Sequence, residues 1–270
     1  MALIIAHRGA RSLAPENTMA AARKALEVGA DLWETDLAVT SDGGLILMHD
    51  DSLIRTTNAV RQFPDRSPWT YTSFSLSEIR SLDAGSWFVE TDPFGQIASG
   101  AVTLQQREAF RGEKVPTLEE AFIFTQETDY CINLELKRLP SPMEGFPVVE
   151  QVLALLERLK MDRHRVILSS FHHPWLREIQ AKDPRIRVQA LIGYSETEPL
   201  DWGDLSFKTY NARSTLIDEG QIRAVIEKGI TVNLFTVNEV HDMQRFAAAG
   251  VAGLITDFPQ RAGEIAGNPL

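Results

Sequence analysis

Cysteine occurs once in the 270 residues, at Cys131, which excludes an internal disulfide and a cysteine-built zinc cluster and suits a reducing compartment. Long apolar runs are missing as well. No stretch approaches the roughly 20 apolar residues that a membrane helix needs. The opening Leu3-Ile-Ile-Ala6 is far too short for the apolar region of a secretory signal and has no basic residues before it. The expected location is therefore cytoplasmic, with no integral membrane segment. Positive charge is in deficit, 27 basic residues against 37 acidic ones for a net charge of -10, which disfavours nucleic acid or an anionic membrane surface as a partner. An anionic small molecule would need local cations, a bound metal among them. Also lacking is a glycine-rich turn after the first apolar run, which argues against a doubly wound nucleotide-binding sheet.

What is present reads as one globular unit. The hydrophobic fraction of 44% supplies a sizeable core, and no long polar linker divides the chain, so residues 1–270 are expected to form a single domain. Leu3-Ile-Ile-Ala6 is strand-like, and Pro15-Glu-Asn-Thr18 opens an alanine-rich helix ending at Gly29. The unit recurs. Strands are predicted from Leu32, Tyr130, Val166, Val188, Leu205, Ile230 and Gly253, with helices over 148–160 and 219–228 and a third, capped by Asn238, that ends at Gly250. Eight strands alternating with helices at this length predict a (β/α)8 TIM barrel.

Two stretches break the alternation. Ser41-Asp-Gly-Gly44 between apolar arms signals a β-hairpin that returns His49 to the neighbourhood of Asp36. Residues of about 51–115 carry many aromatic and turn residues and a capping box, Ser75-x-x-Glu78. They read as a small inserted cap region over the barrel mouth.

Catalytic groups of such barrels sit where strands end at the C-terminal face. His7 ends the first predicted strand, Glu34 and Asp36 the second and Glu135 the third. Residues two apart share a face, so Glu34 points with Asp36, and Asn133 and Glu135 with Lys137. Carboxylates converging on one mouth repel and rise in pKa unless a cation sits among them. Three carboxylates without cysteine describe a hard-cation site, so one divalent ion, Mg²⁺ or Ca²⁺, is expected on Glu34, Asp36 and Glu135. His7 and His49 suit acid–base work near neutral pH. Arg8 and Lys137 suit phosphate oxygens. Alone, each signal is weak: Glu-x-Asp is commonly a solvated pair, Lys137 beside Arg138 reads equally as a loop end, and Asn17-Thr18 reads as a helix cap. His172-His173 is assigned to the surface or to a supporting role, because adjacent strand residues face opposite ways. His164 and His241 receive no role.

The combination is more specific. His7-Arg-Gly9, Pro15-Glu-Asn-Thr18, Glu34-Thr-Asp36, Thr40-Ser-Asp-Gly43, His49-Asp50, Pro116-Thr-Leu-Glu119, Glu135-Leu-Lys137, Ser170-Phe171 and Thr256-Asp257 resemble, in order and over nearly the whole chain, the glycerophosphodiester phosphodiesterases. The resemblance implies a barrel with an inserted cap and one divalent ion on Glu34, Asp36 and Glu135. It also implies His7 and His49 as acid and base, phosphate held by Arg8 and Lys137, and a small glycerophosphodiester as substrate. The implied reaction proceeds through a cyclic phosphate to sn-glycerol 3-phosphate and an alcohol. Many members carry tryptophan where this chain has Phe235, which keeps an apolar wall for the glycerol backbone without an indole donor. The competing readings are a lysophospholipase D, a phosphodiester-binding protein without catalysis, and, by fold analogy alone, a sugar-phosphate isomerase.

Overall fold

The structure, a computed structural model, describes residues 2–261. Among them nine strands form one sheet: β1 (Leu3–Ala6), β2 (Leu32–Val39), β3 (Leu45–Leu47), β4 (Ile132–Leu136), β5 (Val166–Ser170), β6 (Arg187–Ile192), β7 (Thr209–Arg213), β8 (Thr231–Phe235) and β9 (Gly253–Thr256). Eight of them run parallel, and pairing of β1 with both β2 and β9 closes them into a barrel. The ninth, β3, is the antiparallel hairpin arm on β2, with Leu37 opposite Leu47. The expected (β/α)8 barrel is what forms.

Helices α1 (Met19–Glu27), α6 (Leu118–Glu127), α7 (Val148–Arg158), α8 (His173–Lys182), α9 (Glu219–Ile226) and α10 (Val240–Ala249) lie between barrel strands. Four short helices, α2 (Ala59–Gln62), α3 (Leu76–Ser81), α4 (Ser86–Thr91) and α5 (Leu104–Phe110), lie between β3 and α6. Strand alternation sorts the side chains. Ile4, Ala6, Trp33, Leu134, Leu136, Leu168, Ala190, Tyr210 and Leu234 face outward into the main core beneath the helices, whereas Ile5, Leu32, Ile167 and Ile255 form a separate cluster with Cys131 and Phe235. On that inner parity the residues turn polar toward the C-terminal ends: His7 after Ile5, Glu34 and Asp36 after Leu32, Asn133 and Glu135 after Cys131. The site is thus written into the period-2 pattern of the strands.

In the stretch between β3 and α6, Phe63 packs on Phe74, and Trp87 and Phe110 pack on Phe88, while Phe74, Phe88 and Phe110 also join the main core. The capping box of that stretch is present, with Ser75 and Glu78 each bonding the other's backbone.

Three expectations need correction. The strand expected from Leu205 runs instead over Thr209–Arg213. Leu205 adopts a positive φ of 53° and Phe207 is buried outside the sheet, so the apolar letters there belong to a loop, and the true strand alternates Tyr210 and Ala212 with inward Asn211. Asn238 does not cap α10, whose N-cap is Glu239; its amide binds Asp257 Oδ2 at 2.8 Å. Thr18 does cap α1, accepting from the Ala21 N–H, but Asn17 belongs to the site described next.

Candidate active site

Parallel register does the first part of the assembly. Pairing of β2 with β4 sets Glu34 beside Asn133 and Asp36 beside Glu135, so the three carboxylates converge, each offering an oxygen within 4.8 Å of the other two. Burial, and then the charges of Asp36 and Glu135, push Glu34 well above the usual carboxylate range. Burial and then Asp36 raise Glu135 to about 7. Burial alone would raise Asp36 too, but Lys137, His49 and Arg8 outweigh it and hold Asp36 well below the ordinary range. With all three carboxylates ionised, the two cations Arg8 and Lys137 would leave negative charge uncompensated. A hard divalent ion fits this donor set. It consists of oxygen only, and 4.8 Å lies inside the roughly 5 Å separating opposite ligands of a calcium ion.

Asn17 locks Asp36 in place. Its Nδ2 donates to Asp36 Oδ2 at 2.9 Å, and its Oδ1 accepts from the Thr35 hydroxyl at 2.7 Å. Its φ of 53° is one that asparagine tolerates better than most residues. The cap reading of Asn17-Thr18 is therefore right for Thr18 and wrong for Asn17.

The hairpin brings His49 back as expected, with the Met48 N–H bonded to the Asp36 carbonyl at 3.0 Å. Each histidine has its own carboxylate. His7 Nδ1 lies 2.6 Å from Asp257 Oδ1, and His49 Nδ1 lies 2.7 Å from Asp50 Oδ1. Such a contact engages Nδ1, so that any proton exchange by these rings would fall to Nε2. Burial, followed by the Arg8 charge, lowers His7 to about 4 despite Asp257, so His7 is neutral at neutral pH.

The two phosphate candidates are drawn into the same charge system. Arg8 donates from Nη1 to Glu16 Oε1 at 2.8 Å and from its backbone N–H to Glu34 Oε2 at 2.9 Å. Its Nε is buried without a hydrogen-bond acceptor. Lys137 Nζ reaches Asp36 Oδ1 at 3.3 Å and the His49 carbonyl at 3.1 Å. All eight residues singled out in the sequence meet here: His7, Arg8, Glu34, His49, Glu135, Lys137 and Phe235 line one cavity of about 620 Å³, and Asp36 completes the carboxylate trio. A second cavity of about 690 Å³ shares Asp51, Glu135, Lys137, Phe171, Leu191 and Tyr194 with the first. Phe171 bridges the two, edge-on to Phe235 and to Tyr194. His172 and His173 are not on a strand but open α8, where His172 meets Arg138 and His173 the Leu191 carbonyl.

Asp50, Asp257, Glu16 and Arg55 join the site without having been assigned a role above. Asp50 and Asp257 lie in His49-Asp50 and Thr256-Asp257; for Asp50 the adjacent histidine is the available signal, whereas His7 is 250 positions from Asp257. Glu16 likewise lies in Pro15-Glu-Asn-Thr18. Nothing local marks Arg55, whose partners lie up to 39 residues away.

Comparison with known proteins fits the geometry. The model of the glycerophosphoryl diester phosphodiesterase family matches residues 7–261. A glycerophosphodiester phosphodiesterase of Caldanaerobacter subterraneus subsp. tengcongensis is 33% identical over 261 residues, covering 96% of this chain and 95% of its own. An Oleispira antarctica phosphodiesterase, solved in complex with the product sn-glycerol-3-phosphate, is similar with a TM-score of 0.75 at 26% identity, over 98% of this chain and 97% of that one. The glycerophosphodiester phosphodiesterase of Agrobacterium tumefaciens gives 0.71 at 26% identity, over 96% and 98%. On a match that runs from His7 through the last described residue, this chain belongs to the glycerophosphoryl diester phosphodiesterase family.

Proposed function

We propose that this protein, with residues 1–270 acting as one domain, is a metal-dependent phosphodiesterase. It hydrolyses glycerophosphodiesters to sn-glycerol 3-phosphate and an alcohol. The observation that carries the reading is the coexistence, in one cavity, of a three-carboxylate cluster with two histidines that each hold a carboxylate on Nδ1. A phosphate-binding protein has no use for two oriented proton carriers. The names and product of the relatives point the same way.

Glu34, Asp36 and Glu135 hold one divalent cation, Mg²⁺ or Ca²⁺. When bound, that ion supplies charge neutralisation at phosphate and lowers the pKa of a hydroxyl beside it. Arg8 and Lys137 bind non-bridging phosphate oxygens, and Phe235 walls the glycerol backbone. The two adjoining cavities, about 620 and 690 Å³, give room for both halves of a diester. His7, neutral because it is buried beside Arg8, takes the proton of the glycerol 2-hydroxyl as that oxygen attacks phosphorus. His49 gives a proton to the departing alcohol. The cyclic phosphate is then opened by water, with the two roles exchanged.

His7→Ala and His49→Ala should each lower kcat on glycerophosphocholine by about 10²- to 10⁴-fold with little change in melting temperature. A phosphodiester with a p-nitrophenol leaving group needs no acid. On it His49→Ala should recover much of its activity while His7→Ala stays inactive. Near-parent turnover of either variant on glycerophosphocholine rejects the assignment.

A further inference from the structure

The two histidine pairs are joined by one chain of charges that runs through the insertion. Asp257, which holds His7, lies 3.5 Å from Arg11 Nη1, and Arg11 Nη2 reaches Glu16 Oε2 at 2.8 Å. Glu16 is 4% exposed. On its other side Arg55 forks onto it, from Nη1 to Oε2 at 2.9 Å and from Nη2 to Oε1 at 2.7 Å. The same guanidinium forks a second time onto Asp50, from Nε to Oδ2 at 2.6 Å and from Nη2 to Oδ1 at 3.0 Å. Asp50 in turn holds His49.

Arg55 is the link that the insertion contributes. Its guanidinium carbon lies 5.9 Å from the centre of the Trp87 ring, on α4. It lines neither cavity of the site. Four donors directed at two carboxylates fix the planar group in one orientation, and Asp50 is fixed with it.

Given the assignment of His7 and His49 to proton transfer, on which this rests, we propose that Arg55 is a positioning residue. It orients His49 through Asp50 and, through Glu16, ties the His49 pair to the His7 pair. Residues 51–115 thereby set the alignment of the acid–base machinery as well as lying beside it. Partners of this kind, one shell removed from the reacting groups, typically change activity by about 10- to 100-fold when lost.

The test measures kcat and KM on glycerophosphocholine for the full chain with Arg55→Gln, Arg55→Lys, Asp50→Asn and the double variant Arg55→Gln/Asp50→Asn. Arg55→Gln should lower kcat by about 10- to 100-fold with KM within about twofold, because Arg8 and Lys137 are kept and Arg8 retains its bond to Glu16. Added to Asp50→Asn, Arg55→Gln should cost much less than it does alone, since its route to His49 is already cut and only its hold on Glu16 is left to lose. Arg55→Lys keeps the charge but cannot fork onto two carboxylates, so it should recover only part of the loss. The proposal is overturned by parent-like kcat in Arg55→Gln, by losses that multiply in the double variant, by an effect confined to KM, or by full recovery with lysine. If His7→Ala and His49→Ala are themselves active, the functional reading fails instead, and the two outcomes are distinct. Arg55 is about 40% exposed, and circular dichroism of each variant checks that the fold is intact before the kinetics are compared.

Discussion

Glu16 shows how few residues hold the site together. Its carboxylate, 4% exposed, accepts from Arg8, Arg11 and Arg55. Burial alone would push it up, but the Arg55 hydrogen bonds and the charges of Arg8 and Arg11 outweigh burial and bring it down to about 2. A carboxyl whose folded pKa is depressed stabilises the fold above its ordinary value near 4.5, and the effect is lost as pH falls from there to about 2. A shift of that size corresponds to about 3 kcal/mol. Glu16→Gln should be less stable than the parent at pH 7, because three guanidiniums lose their shared anion. It should also lose less stability than the parent between pH 5 and 2. Urea unfolding of both proteins across that range checks this, and parallel pH curves would contradict it. Such a role was only half legible. Glu16 is visible in the motif, but its partners come from the first βα loop and from the insertion.

At the level of elements, what sequence displays is periodicity, and what it conceals is where polar residues replace apolar ones for function. The hairpin was readable from Ser41-Asp-Gly-Gly44, and Gly253–Thr256 is a strand with the bounds expected. β7 was misplaced because Asn211 faces the cavity and breaks the apolar pattern, while Leu205 and Phe207 imitate a strand without forming one. Asn17 and Asn238 were read locally as caps, yet their side chains bond Asp36 and Asp257 across 19 residues each. The β1–α1 turn also depends on backbone geometry that no side chain advertises. Gly9 has φ of 78°, and a Cβ there would lie 2.6 Å from the carbonyl carbon and the Cβ of Ala21 in α1. Because its N–H bonds the Glu34 carbonyl at 3.1 Å, a shift would move Arg8 and the cluster together. Gly9→Ala should cost about 2–4 kcal/mol from overpacking and the unfavourable φ, read as a lowered denaturation midpoint. A midpoint equal to the parent's would show that the turn relaxes freely.

For the molecule as a whole, the architecture places function at one end. Eight parallel strands deliver their inward residues to the same mouth, so side chains from β1, β2, β4 and the hairpin meet although His7 and Asp257 are 250 positions apart. Among the described residues no helix is long and apolar enough to cross a membrane. With Glu34 and Glu135 raised by burial and by their neighbours, the protein without an ion becomes less stable as pH rises from about 4.5 through about 7. A divalent ion should therefore raise the melting temperature more at pH 8 than at pH 5, and an equal rise at both would contradict that. The most direct test of the central claim is release of sn-glycerol 3-phosphate from a panel of glycerophosphodiesters by protein stripped with EDTA, before and after adding Mg²⁺ or Ca²⁺. No turnover is expected of the stripped protein, and restored turnover with at least one of the two ions; the absence of metal-dependent release from every member of the panel would rule out a metal-dependent glycerophosphodiesterase.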